Sequence, residues 1–275
     1  MAEEKRYEAI VLGATLAGVG LAQALGDRCL VLDRCGQPGW EFFGALDFGT
    51  DYAAPLHTAA ANGLRQEWEQ SGCFAAGGRI NLLDGSAALC RRLQACGSTV
   101  LLQSETVAIE KIPAGFAVTT HGAAGYRTWL AERVIDTRCP AAGIAHKSFH
   151  ALLHTDAAPA QAIAAQVQAI AAPVLPPDIL TENWGGEGDF VLKCPVAADA
   201  SWPQARAALA ALLRRLPAGF RPVLTADAFA CVPAAAVPKT RDGVEMLISC
   251  GYANPLLAFD AGVLCGEEVL RHAAF

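Results

Sequence analysis

The stretch from Tyr7 to Arg34, Y-E-A-I-V-L-G-A-T-L-A-G-V-G-L-A-Q-A-L-G-D-R-C-L-V-L-D-R, decides the fold of this chain. An apolar run from Ala9 to Leu12 ends at Gly13, and an Ala- and Leu-rich helical pattern follows. A second apolar run, from Cys29 to Leu32, ends at Asp33, 20 residues after the glycine. This order of strand, glycine turn, helix, strand and acid is that of a dinucleotide-binding βαβ unit.

The glycine motif departs from the usual pattern at one point. It reads Gly13-x-Thr15-x-x-Gly18, with threonine where a middle glycine would let the backbone approach a diphosphate. The free amides and the dipole at the start of the helix favour a diphosphate, and the Thr15 hydroxyl could donate to it. Asp33 is placed to accept hydrogen bonds from ribose hydroxyls, and an acid there disfavours the 2′-phosphate of NADP.

Composition narrows the class of protein. The chain has 275 residues, 53% of them hydrophobic and 17% charged, which predicts a packed globular protein. Its formal charge is 21 − 27 = −6, and no run of Lys and Arg exceeds two, so nucleic acid is not expected as a partner. The apolar stretch from Ala157 to Leu175 is broken by Gln and Pro, so no membrane span is expected.

The N-terminus and the cysteines indicate a compartment. The first six residues lead straight into the first strand, which leaves no room for a signal peptide. The ten cysteines include no C-x-x-C pair, so we expect reduced thiols that mostly fill the core. Together these features predict a cytoplasmic protein.

The middle of the chain predicts a meander and an insertion. Segments at Thr106–Ile112, Gly115–Thr120 and Tyr126–Ala131 look like strands of a β-meander, which is typical of flavin-binding domains. Further predicted elements are helices at Asp51–Gln70, Ala87–Ala95, Pro159–Ala171 and Trp202–Leu216 and strands at Thr99–Leu102, Arg133–Asp136, Phe149–Thr155, Asp189–Pro195, Val223–Cys231 and Gly243–Ser249. We therefore expect a discontinuous nucleotide-binding domain, 1–146 and 241–275, and an inserted α+β subdomain, 147–240, that covers a substrate.

The last helix, predicted from Pro255 to His272, carries a second signal. Asn254 is a good N-cap and proline a good first helical residue. Gly262 and Gly266 share one face of this helix, and each costs about 1 kcal/mol relative to alanine. Two such losses predict the close approach of either a neighbouring helix or a cofactor, and the sequence leaves both open.

At this point the chain resembles a known family. The glycine motif, the meander ending in A-E-R-V-I-D-T-R (Ala131–Arg138) and the closing strand-turn-helix resemble the FAD-dependent oxidoreductases of the glutathione-reductase-like superfamily. The resemblance covers about 1–140 and 243–275 and implies an α/β fold, with a Rossmann-like FAD/NAD(P)-binding domain, a β-meander and an inserted α+β subdomain. Two further departures are Arg138, where the family has a small residue, and Tyr252, where it has an aspartate.

The resemblance also implies where FAD would bind. Gly13, Thr15 and Gly18 would lie along the diphosphate, Asp33 at the ribose, and Val107 near the adenine. The full set of implied cofactor-binding positions is Gly13, Thr15, Leu16, Ala17, Gly18, Asp33, Arg34, Val107, Thr137, Gly251, Asn254, Leu256 and Leu257.

The expected function is FAD-dependent oxidoreduction of a small organic substrate by hydride transfer to or from flavin. Two alternatives stay open: a flavin-free pseudo-enzyme or partner subunit of the same fold, in which FAD is absent or weakly bound, and an NAD-dependent dehydrogenase. No metal-ligand spacing is present, no catalytic residue is identified, and a homo-oligomer remains open. Candidates for contact with flavin or substrate are Trp40, Glu41, His57, Arg65, His150, His154, Lys193, Lys239 and Arg241.

Overall fold

A computed structural model describes residues 5–75, 79–81, 85–140, 143–156, 181–183, 188–216, 219–234 and 239–273. The strands are β1 (Arg6–Leu12), β2 (Cys29–Leu32), β3 (Phe74–Ala75), β4 (Arg79–Ile80), β5 (Thr99–Leu101), β6 (Glu105–Ile112), β7 (Gly115–Gly122), β8 (Gly125–Asp136), β9 (Ile144–Thr155), β10 (Thr181–Asn183), β11 (Asp189–Val196), β12 (Phe220–Thr225), β13 (Ala230–Pro233), β14 (Thr240–Arg241) and β15 (Val244–Met246). The α-helices of the described residues are α1 (Leu16–Leu25), α2 (Trp40–Phe43), α3 (Ala59–Gln70), α4 (Gly85–Ala95), α5 (Trp202–Leu213) and α6 (Pro255–Ala273).

The first sheet is built around β1. It runs β14-β15-β8-β1-β2-β5, with β15, β8, β1, β2 and β5 parallel and β14 antiparallel at the edge. Strand β8 is one continuous strand where the sequence suggested two segments. Its first half pairs with β7 of the meander and its second half with β15, so the meander extends from the parallel sheet.

Different elements pack on the two faces of this sheet, and β1 contributes apolar side chains to both faces. Because neighbouring strand residues point to opposite faces, Ala9 and Val11 pack among the helices while Ile10 and Leu12 join a smaller core with the meander. All four side chains are fully buried. The parallel sheet is therefore covered on both faces, which explains the continuous apolar run in the sequence.

A second, antiparallel sheet has the order β10-β11-β9-β12, and β13 also pairs with β9. Strand β9 is central, because β11 pairs along one side while β13 and then β12 pair along the other. Helix α5 packs on this sheet through Ala205, Leu209 and Leu212. The α+β character predicted for this region is present, whereas the domain boundaries at 146 and 241 stay a prediction.

Several element boundaries differ from the sequence prediction. The helix predicted from Asp51 begins only at Ala59, because Thr58 caps it by accepting a hydrogen bond from the Ala61 amide. The strand predicted from Val223 to Cys231 is two strands, β12 and β13, separated by a loop. The predicted helix Pro159–Ala171 lies outside the described residues. No described helix is both long and apolar enough to cross a bilayer.

Candidate functional site

The glycine turn allows helix α1 to start directly on strand β1. Gly13 has φ +103°, and its amide donates to the Leu32 carbonyl at 2.8 Å. A Cβ on Gly18 would lie 2.0 Å from the Gly13 carbonyl oxygen, so only glycine lets helix and strand approach this closely. This is the local geometry that the glycine motif predicts.

Asp33 turns back onto this turn. One carboxylate oxygen accepts a hydrogen bond from the Ala14 amide at 2.6 Å, and the other accepts from the Cys35 amide at 2.7 Å. The residue is buried, whereas its neighbour Arg34 is exposed. Asp33 therefore lies at the expected end of β2, and both of its oxygens bind backbone of the chain itself.

Thr15, the departure from the middle glycine, is the N-cap of α1. Its hydroxyl accepts from the Gly18 amide at 3.0 Å and donates to the Thr137 hydroxyl at 2.6 Å. The Thr137 hydroxyl is in turn within reach of the Leu12 and Gly13 carbonyls. The proton of the Thr15 hydroxyl thus binds Thr137, the residue after β8, and the donation of this hydroxyl to a phosphate stays a prediction.

Two further amides at the start of α1 bind side chains from elsewhere in the fold. The Leu16 amide donates to Glu41 Oε1 at 2.7 Å, and the Ala17 amide donates to Ser249 Oγ at 3.2 Å. The Ser249 hydroxyl donates to the same Glu41 oxygen at 2.7 Å. The amides that the fold offers to a diphosphate are thus held by an acid and a hydroxyl of the chain.

The Glu41 carboxylate is only partly satisfied. Its Oε2 atom is buried and has no hydrogen-bond partner among the described residues. Burial raises the pKa of Glu41 to about 7, the nearby negative charge of Asp33 adds to this rise, and the hydrogen bonds from Ser249 and Leu16 oppose it. Glu41 therefore takes up a proton much more readily than an exposed glutamate.

Arg138 covers the glycine turn from the β8 side. A Cβ on Gly13 would lie 2.8 Å from Arg138 Cγ, so the arginine stem contacts the turn. Its guanidinium binds the Asp136 carboxylate at 2.8 and 2.9 Å, which holds the side chain in place. Tyr252, the third departure, is half-buried, and burial raises the pKa of its phenol.

The N-terminus of α6 is capped as predicted. The Asn254 side chain accepts from the Leu257 amide at 3.0 Å and donates to the carbonyls of Thr50 and Asp51 at 2.8 and 3.1 Å. Leu256 is fully buried and Leu257 half-buried, while Gly251 is exposed. This helix start is therefore fastened to the loop before α3.

The glycine face of α6 contacts α1. A Cβ on Gly262 would lie 2.0 Å from the Ala17 carbonyl oxygen, and a Cβ on Gly20 would lie 2.1 Å from that of Phe259. Of the two explanations that the sequence left open, close helix packing is the one found. Val107 lies on β6 with 49% of its surface exposed.

A polar group lies on the second sheet, facing the loop after α2. His150 is buried, its Nε2 lies 2.6 Å from Ser148 Oγ, and its Nδ1 lies 3.1 Å from the Leu46 carbonyl. Lys193, paired with His150 across β9 and β11, binds the Asp47 carboxylate at 3.1 Å. Burial lowers the pKa of His150 to about 4, so its ring is neutral near pH 7.

The other candidate side chains take structural or exposed positions. Arg65 donates to the carbonyls of Tyr52 and Ala54, and His154 bridges Asp156 and Asp189. The remaining three candidates are exposed: His57, Lys239 and Arg241. Among the residues with described positions, no group of three or more His, Cys, Asp or Glu could hold a metal ion.

A small cavity separates α2 from the second sheet. It measures about 100 Å³ and is lined by Trp40, Phe43, Leu46, Leu224, Thr225 and Asp227 among others. The Asp227 and Ala228 amides both donate to the Gly44 carbonyl, which fixes the two layers together beside it. Trp40 thus faces this cavity, and Glu41, its neighbour in the sequence, holds the start of α1.

No protein-family model and no curated protein sequence matches this chain. Solved structures do share its fold. The myxobacterial FAD-dependent chondrochloren halogenase CndH is 14% identical, with a TM-score of 0.62 over 98% of this chain and 76% of the halogenase. Glycine oxidase from Geobacillus kaustophilus is 14% identical, with a TM-score of 0.59 over 97% of this chain and 95% of the oxidase.

The anhydrotetracycline hydroxylase OxyS from Streptomyces rimosus is 15% identical, with a TM-score of 0.61 over 98% of this chain. The chain spans only 63% of that hydroxylase. At these identities the likeness is one of fold. It confirms the predicted α/β class with a Rossmann-like fold, while membership of the glutathione-reductase-like group stays a prediction.

Proposed function

We propose that this chain is an FAD-dependent oxidoreductase that acts on a small organic substrate by hydride transfer to or from the flavin. The observation that carries the proposal is that the start of α1 meets the segment leading into α6 at one edge of the parallel sheet. The Ala17 amide of α1 binds Ser249, six residues before α6 begins, and the Ser249 amide binds the Thr137 carbonyl after β8. Ligands of open α/β sheets bind at this carboxyl edge, and the neighbours with oxidase, hydroxylase and halogenase names add support.

The residues at this edge fit a dinucleotide in part. The glycine turn and the small side chains of Ala14 and Ala17 leave backbone amides close to the edge, and the α1 dipole favours a diphosphate there. Leu16 cannot donate to a diphosphate and to Glu41 together. The site can therefore hold FAD only when the Glu41 side chain has left the Leu16 amide.

The cofactor and the chain would have separate roles, as in other cofactor-dependent enzymes. When bound, FAD would supply the redox chemistry, and the chain would supply position and polarity. The Leu16 and Ala17 amides would hold the diphosphate, and Asp33 could reach a ribose by releasing the Ala14 amide.

A second candidate is a flavin-free protein that keeps the fold. The contact between Glu41 and Leu16 favours it, because the chain already satisfies the amides that a cofactor would need. Such a protein would act as a partner subunit or as a binding module without redox chemistry.

Absorbance and titration separate these functions. The visible flavin bands in the purified protein, or quenching of flavin fluorescence when FAD is added, support the oxidoreductase. NAD serves as the control ligand, because the dehydrogenase alternative predicts that NAD binds and FAD does not. A colourless protein that takes up neither ligand would leave the flavin-free candidate.

A further inference from the structure

We propose that Glu41 is a resident ligand of the diphosphate-binding amides, and that a nucleotide diphosphate binds only after this side chain has left. The inference rests on the proposed function, because it takes the start of α1 as the place where a dinucleotide would bind. It makes Glu41 the residue that decides whether and how tightly the site accepts a diphosphate.

The Glu41 carboxylate lies at the start of α1, where the helix dipole and the backbone amides favour an anion. Glu41 Oε1 accepts hydrogen bonds from the Leu16 amide and the Ser249 hydroxyl, each at 2.7 Å. Ser249 also accepts from the Ala17 amide, so one carboxylate oxygen and one hydroxyl take both amides. A diphosphate at this helix start would need the same donors and would add negative charge beside a carboxylate, which costs energy in a buried place.

The fit of Glu41 is nonetheless incomplete. Its second oxygen, Oε2, is buried without a hydrogen-bond partner among the described residues. A buried acceptor without a donor carries an unrepaid desolvation cost, and burial accordingly raises the pKa of this acid. Asp33, whose charge adds to that rise, is the acid on the neighbouring β2 end. A phosphate group offers more acceptor oxygens to the same amides, so the carboxylate is an occupant that a better ligand can displace.

The structure indicates which part would move. Helix α2 has four residues, and Phe42 and Phe43 beside Glu41 are both buried in the core. The Gly39 amide also donates to the Ala14 carbonyl at 2.7 Å, which holds the start of α2 against the turn. We therefore expect the backbone of α2 to stay in place while the Glu41 side chain alone changes rotamer.

The test compares anion binding by the full chain with and without this acid. Glu41→Ala removes the occupant, and Glu41→Gln keeps an acceptor oxygen but removes the charge. Glu110→Gln, at an exposed position of β6, is the matched control for the loss of one charge. Calorimetric titration at pH 8 with inorganic pyrophosphate and with FAD gives a Kd for each, and circular dichroism checks the fold.

The expected result is that Glu41→Ala binds both pyrophosphate and FAD at least about tenfold more tightly than the wild type, which corresponds to about 1.4 kcal/mol. The Kd values of Glu41→Gln are expected to lie between those of Glu41→Ala and the wild type, and the Kd values of Glu110→Gln are expected to match those of the wild type. If Glu41→Ala does not fold, the comparison of Glu41→Gln with Glu110→Gln decides in its place.

The other outcomes separate the two proposals. Equal FAD affinity in wild type and Glu41→Ala overturns the role of Glu41 and leaves the flavin-dependent function standing. A gain in pyrophosphate binding without any FAD binding supports the role of Glu41 and removes the flavin-dependent function. No gain for either probe in a folded Glu41→Ala protein overturns the inference.

Discussion

The carboxylate of Glu41 and the backbone amide of Leu16 are joined by a hydrogen bond of 2.7 Å, which places an acid from α2 at the positive end of α1. Helix α1 has no acidic residue in its own first turn, so the acids that complement its dipole come from other elements. Asp33 does the same for the Ala14 amide. The start of α1 is thus bound by two acids of the chain, and this arrangement has measurable consequences.

The first prediction concerns pH and Glu41. The pKa of Glu41 is about 7 in the folded chain against an ordinary value of 4.5, so its contribution to stability is complete below about pH 4.5 and is lost as the pH rises to about 7. The loss amounts to about 3–4 kcal/mol, since one pKa unit corresponds to about 1.4 kcal/mol. Glu41→Gln should remove this slope in urea unfolding measured from pH 4.5 to 7.5. Glu110→Gln should keep it, and an unchanged slope in Glu41→Gln would place the titration elsewhere.

The second prediction has the opposite sign. The pKa of His150 is about 4 in the folded chain against an ordinary value of 6.5, because burial outweighs the attraction of Asp47, and the charge on Lys193 adds to the lowering. The unfolded chain therefore binds more protons between pH 4 and 6.5, and stability rises with pH in that window. His150→Asn should flatten this rise. The measurement is the free energy of unfolding against pH, taken as the difference between the variant and the wild type. The difference is needed because Glu41 and His150 change stability in opposite directions as the pH rises.

The sequence predicted the βαβ unit, the meander and the last helix because each depends on local signals. Apolar runs, the glycine turn after β1 and the Asn254 cap are all properties of neighbouring residues. The prediction of one strand from Val223 to Cys231 was wrong because of a tertiary contact. The amides of Asp227 and Ala228 bind the Gly44 carbonyl, so the chain leaves the sheet between β12 and β13.

The role of Glu41 could not be predicted, because its partner Leu16 lies 25 residues away and Ser249 lies 208 residues away. No spacing rule joins these positions, and only the folded edge of the sheet brings them together. The three departures from the family pattern were visible in the sequence. What they do was not: Thr15 caps α1, and Arg138 covers the glycine turn.

The third prediction concerns the fastening of α6. The Asn254 side chain is buried and makes three hydrogen bonds, to Leu257 and to the loop carbonyls of Thr50 and Asp51. Asn254→Ala should lower the free energy of unfolding by about 2 kcal/mol, because it removes a cap and leaves buried groups unpaired. Asn254→Asp keeps the cap but cannot donate to the two carbonyls, so urea unfolding of both variants separates the two contributions. Equal stability of Asn254→Ala and wild type would contradict the fastening.

The last prediction uses the close approach of α1 and α6. In Gly262→Ala the new Cβ would lie 2.0 Å from the Ala17 carbonyl oxygen, so the two helices must move apart. This change should lower the free energy of unfolding by about 1–3 kcal/mol despite the better helix propensity of alanine. Gly63→Ala is the matched control, because the nearest described atom to its Cβ is Arg92 Nη2 at 3.4 Å, a much looser contact, and it should stabilise the chain by up to about 1 kcal/mol. Thermal unfolding of both variants checks the signs. The close helix contact is refuted if Gly262→Ala raises the Tm as Gly63→Ala does. The amide of Ala17 lies at the start of α1, where it donates to Ser249. Because Gly262→Ala displaces Ala17, it should also weaken the binding of a diphosphate at this helix start.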